Sequence, residues 1–127
     1  MAFRDNPTLY NIDIWSEIPY DNLTLLGEMP QLRELSIYIQ SLDGIENLPR
    51  LDYLYLGPPQ PDLSKLAEAR SLSTIDISPL HITDYAPLFT APHLELILAE
   101  SDQEKNLRAA MSLSGASVKI EIVNNIP

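Results

Sequence analysis

LDYLYLGPPQP, residues 51–61, alternates like a β-strand and then runs into one glycine and three prolines. Proline cannot donate to a ladder or continue a helix, so the segment from Gly57 ends the strand and turns the chain. Pro58 to Pro61 also matches the minimal P-x-x-P ligand pattern. It lies inside a constrained turn rather than a free polyproline segment, and its prolines read as architecture. What decides the fold is that this strand has copies. The tag before it, LPRL (48–51), recurs as NPTL (6–9), MPQL (29–32) and APHL (91–94), with ARSL (69–72) as a copy lacking the proline. Each tag leucine opens the same figure, Leu-x-x-apolar-x-apolar: LYNIDI from Leu9, LRELSI from Leu32, LDYLYL from Leu51, LSTIDI from Leu72 and LELILA from Leu94. Those leucines stand 23, 19, 21 and 22 residues apart. A near-constant period of this length marks a stack of equivalent units, none of which can bury its apolar side alone.

On IENLPRLDYLYL (45–56) and LSTIDISPLHITDYAPL (72–88) the chain resembles the leucine-rich repeat family, in particular its short-repeat bacterial, internalin-like class, with Ile82, Asp84 and Leu88 in the phrase after the strand. The resemblance covers about residues 7–100. It implies an α/β solenoid of about five to six coils, with a parallel β-sheet on the concave face and short helical or 3-10 turns on the convex face. It also implies protein binding rather than catalysis. The family usually carries an asparagine three residues past each strand, whose side chain satisfies the turning backbone. Here those positions hold Glu17, Gln40, Pro59, Leu80 and Asp102, so the turns need other partners; Gln40 is the nearest imitation.

Between the strands, apolar residues three apart suit one inward face of a short 3-10 or α turn: Leu23, Leu26 and Met29; Leu42, Ile45 and Leu48; Leu63, Leu66 and Ala69; Ile82, Tyr85 and Leu88. DLSKLAEA (62–69) is the best helix candidate among them. A stack must also cover its ends. A cap is expected over 101–127: Ser101 or Asp102 starting a helix over QEKNLRAAMSLS, Gly115 ending it, Leu107, Ala110, Met111 and Leu113 closing the core, and SVKIEIV (117–123) forming a last strand. The whole chain, 1–127, reads as one domain with no linker, and its Met-Ala start and C-terminal cap favour a complete chain.

Composition excludes several classes of function. With 45% hydrophobic and 20% charged residues the chain lies in the globular range. A net charge of −10, heavier in residues 1–64 (three basic, ten acidic) than in 65–127 (five and eight), opposes nucleic-acid binding. There is no cysteine, hence no disulfide or thiolate metal site. No signal peptide or membrane-spanning run is visible, so a cytoplasmic place is expected. His81 and His93 lack the spacing of a metal site, and no cofactor is expected. Ser78, His81 and Asp84 share one turn but lack the context of a nucleophile, base and orienter, so no catalytic residue is assigned and the chain is read as a non-enzyme.

The strand alternation leaves three outward rows, one residue per strand: Asn11, Glu34, Tyr53, Thr74 and Leu96; Asp13, Ser36, Tyr55, Asp76 and Leu98; Trp15, Tyr38, Gly57, Ser78 and Glu100. In one reading aromatics simply suit strands and the acids are solvated. In the other, the rows carry the aromatic anchors of an interaction surface. On the second reading Trp15, Tyr38, Tyr53 and Tyr55 form the contact centre, Asp13, Glu34 and Asp76 select charge, and Leu96 and Leu98 add an apolar patch. The expected function is a protein-protein interaction module acting through this face. The alternative is a small acidic inhibitor or immunity-type protein that neutralises a basic enzyme.

Overall fold

The computed structural model describes residues 11–14, 21–26, 29–57, 63–80, 82 and 84–123. The tag resolves first into geometry. In each copy within these residues the leucine N–H donates to the carbonyl three residues back: Leu32 to Met29 (3.2 Å), Leu51 to Leu48 (3.2 Å), Leu72 to Ala69 (3.4 Å) and Leu94 to Ala91 (3.5 Å). This is a β-turn, and the tag proline occupies the second position, where a fixed φ near −65° is what the turn requires. Arg70 stands in for proline in one copy because that position needs a backbone angle and no particular side chain.

Among the described residues there are six strands, β1 (Asn11–Ile14), β2 (Glu34–Tyr38), β3 (Tyr53–Gly57), β4 (Thr74–Asp76), β5 (Leu96–Ala99) and β6 (Lys119–Ile122), and the four turns lead into β2 to β5. The strands form one parallel sheet in sequence order, β1 to β6. Parallel neighbours require a return crossing. Within the described residues it is made by 3-10 segments at Leu23–Leu26, Ile45–Asn47, Ser64–Glu68 and Ala86–Thr90, and before β6 by a single α-helix, α1 (Glu104–Ser114). The stretch around Ser64–Glu68, the best helix candidate in the sequence, is thus a 3-10 segment. Inward strand residues Leu35, Ile37, Leu54, Leu56, Ile75, Ile97 and Ala99, and Ile77 just past β4, pack with the return residues Leu23, Met29, Leu42, Ile45, Leu63, Leu66 and Leu88 in one core.

Adjacent return segments also fasten to one another. Leu23 N–H donates to Asp43 O at 2.8 Å, and the next residue, Gly44, takes φ +98°. A Cβ there would meet Thr24 N at 2.7 Å and Leu23 C at 2.9 Å, so only glycine lets the two backbones approach this closely.

The C-terminal cap differs from expectation at its start. A 3-10 turn, Ser101–Gln103, precedes α1, and a reciprocal capping box joins Glu100 and Gln103, rather than Ser101 or Asp102 capping the helix. Gly115 ends α1 at φ +74°, as its position predicts. Leu107 enters the core and Ala110 packs beside it, whereas Leu113 is 90% exposed and closes nothing.

Gln103 is the residue that satisfies the turn after β4. It is 5% exposed; its amide nitrogen donates to Ile77 O and Leu80 O, both at 2.9 Å, and its amide oxygen accepts from Glu100 N–H at 2.8 Å. Gln40, the expected imitation of a turn asparagine, is exposed. Replacing Gln103 by Leu removes the donor to Leu80 O, one of the two donors to Ile77 O and the acceptor of the Glu100 N–H, and should cost about 2 kcal/mol or more in urea unfolding. Leu113→Ala should change stability by less than about 0.5 kcal/mol. The reverse order would contradict this packing.

Candidate functional site

The outward rows follow from register. Glu34 pairs with Asn11 and Tyr53, Tyr53 with Thr74, and Thr74 with Leu96; one step along, Ser36 pairs with Asp13 and Tyr55, Tyr55 with Asp76, and Asp76 with Leu98. Tyr38 pairs with Gly57. Trp15 lies outside the described residues. The sixth strand extends both rows with Lys119 opposite Leu96 and Glu121 opposite Leu98. Neither Lys119 nor Glu121 is among the expected rows, although the alternation of SVKIEIV is the signal that places them.

Along β2 and β3 the face alternates cleanly. Leu35, Leu54 and Leu56 are fully or almost fully buried, while Ser36, Tyr38, Tyr53 and Tyr55 are half-buried. Glu34 is exposed at the start of the row, and Leu96 and Leu98 are half-buried further along. Leu107 of α1 shares the core with Ile97 and Ala99, so the helix sits on the inward side of β5. Leu96 and Leu98 are therefore flanked by the neighbouring strands' rows.

Asp76 departs from a solvated acid. It is 8% exposed, and its Oδ1 accepts the Ser78 N–H at 2.9 Å. Ser78 is buried as well. The carboxylate acts on the tyrosine beside it: burial first, then Asp76, then Tyr38 push the Tyr55 phenol above its ordinary value. Burial, with Asp102 second, does the same to Tyr85 among the return segments.

Elsewhere the polar groups serve the backbone. Asp84 accepts the Ala86 N–H at 3.1 Å, opening the Ala86–Thr90 segment, and His93 is exposed in its tag. His81 lies outside the described residues. Among the described residues no group of three or more His, Asp or Glu converges as metal ligands would. No helix there is long and apolar enough to cross a membrane. Two hollows beside the tag turns are lined by Pro30 and Asn47, and by Ile45, Leu48, Glu68 and Arg70, with Glu46 and Pro49 common to both; neither includes a residue of the outward rows.

No protein-family model matches the chain, and no curated protein matches it.

Raised phenol values have a defined consequence for stability. The fold favours neutral Tyr55 and Tyr85, so their contribution is fully present below the ordinary tyrosine value of about 10 and is lost as pH rises through the raised values. Urea midpoints should fall above about pH 10, and fall less in a Tyr55→Phe, Tyr85→Phe variant. Equal falls in both proteins would contradict these environments.

Proposed function

We propose that the chain is a leucine-rich-repeat-type solenoid, one domain of about five to six coils, whose outward, concave sheet face binds another protein without catalysing a reaction. The observation that carries this reading is the shared face of Tyr38, Tyr53 and Tyr55, half-buried on neighbouring strands, with Glu34 and Asp76 in the same rows. A parallel sheet sets the positions of such rings by its register. Fully burying one against a partner is worth about 2 kcal/mol or more. Leu96 and Leu98 widen the apolar part of the surface, so that the face grades from acid-bearing at β1 and β2 to apolar at β5.

Net charge favours a narrower second reading. At −10, with acids in the same rows as the aromatics, the chain suits a small inhibitor or immunity-type protein that covers the active site of a basic enzyme. The acidic field would then steer the encounter, as in other charge-complementary pairs.

Affinity capture with wild type and a Tyr53→Ala, Tyr55→Ala variant side by side tests the main reading. A partner held by wild type should be lost, or weakened about 30-fold or more, from a variant whose urea midpoint shows it folded. Equal capture by both would overturn the assignment of the face. For the inhibitor reading, the association rate with that partner should drop at least about tenfold between low salt and 0.5 M salt; a salt-indifferent rate contradicts it.

A further inference from the structure

A carboxylate more than nine-tenths buried is ordinarily paired with a cation or supplied with several donors, because desolvating a charge is expensive. Asp76 has neither. It accepts one hydrogen bond, from Ser78 N–H. Among the described residues the ion pairs are Lys65 with Asp43 and Arg108 with Glu104, and no Lys or Arg reaches Asp76. Among the described side chains it is also the most buried acid of the rows. Its register partners are Tyr55 on β3 and Leu98 on β5, both half-buried, with Thr74 two residues before it and Ser78 two after. Parallel strands about 4.8 Å apart put the two flanking backbones roughly 9–10 Å from each other, with the carboxylate between them.

We propose that Asp76, between Tyr55 and Leu98, is the anchor point for an arginine side chain of the partner protein. This rests on reading the outward sheet face as the partner surface. The carboxylate supplies the charge, the tyrosine ring a π face, and Leu98 an apolar wall. A guanidinium suits all three: it is planar, weakly hydrated, stacks on aromatic rings and forks onto carboxylates, whereas a lysine ammonium is a compact, strongly hydrated point charge. The field of Asp76 already reaches Tyr55, since the carboxylate helps keep that phenol protonated. Charge complementarity agrees with the choice, because the whole chain carries −10.

The probe is a capped tripeptide, acetyl-Gly-Arg-Gly-amide, titrated into the full chain by NMR, with its citrulline analogue as the neutral isostere. The arginine peptide should shift the signals of Tyr55, Asp76 and Leu98 saturably, and the citrulline peptide should not. Asp76→Asn keeps an oxygen for the Ser78 N–H, so the fold should persist while affinity falls about tenfold or more. Tyr55→Leu, which keeps an apolar side chain and removes the π face, should lower affinity severalfold. Equal shifts from the citrulline peptide, or unchanged arginine binding in Asp76→Asn, overturn the proposal. Partner capture separates this from the wider reading. A partner lost from the Tyr53→Ala, Tyr55→Ala variant but fully retained by Asp76→Asn overturns the arginine anchor alone, whereas retention by both overturns the face itself.

Discussion

The carbonyls of Arg33, Asp52 and Ser73 each accept two successive backbone N–H groups from the next unit. Arg33 O takes Asp52 and Tyr53, Asp52 O takes Ser73 and Thr74, and Ser73 O takes Glu95 and Leu96, at 2.8–3.0 Å. Each pair lies where a strand begins, just after a tag turn has aimed the chain. The position of the following strand is thereby set to the residue. Side chains alternate with period two, so a slip of one residue would push Tyr53 and Tyr55 into the core and expel Leu54 and Leu56. The core and the outward rows are consequences of one register.

That dependence explains what the sequence made legible. Five copies of Leu-x-x-apolar-x-apolar carry both the direction of each strand and the face of each residue, so Tyr55 and Asp76 could be placed in one row without coordinates. Features set by local backbone geometry were harder to read. Apolar residues three apart fit an α turn as well as a 3-10 turn, and only the short crossing decides for 3-10 at Ser64–Glu68. Leu113 was misplaced for a different reason. At about 100° per residue it lies roughly 120° around the helix from Leu107, off the inward face that Ala110 shares. The angle was available in the sequence and outweighs the residue's hydrophobicity.

Gln103 and Asp76 show how two buried polar residues can have opposite meanings. All the hydrogen-bonding capacity of the Gln103 amide nitrogen goes to two backbone carbonyls of the turn after β4, and its oxygen takes the Glu100 N–H. It stands one residue beyond Asp102, the position where a turn asparagine was sought, and position counting alone passes over it. Asp76 is comparably buried but meets a single backbone donor and sits on the face that tyrosines line. A satisfied amide stabilises a fold, and a carboxylate with a single donor is where the proposed arginine would dock.

The register itself is open to direct measurement by methyl and aromatic NOEs. The account predicts a continuous chain of inward methyl contacts, Leu35 to Leu54 to Ile75 to Ile97, with the Tyr53 and Tyr55 rings meeting Thr74 and Asp76 rather than core methyls. NOEs from either ring to Leu23, Leu42 or Leu66, or an antiparallel contact pattern between β2 and β3, would contradict it.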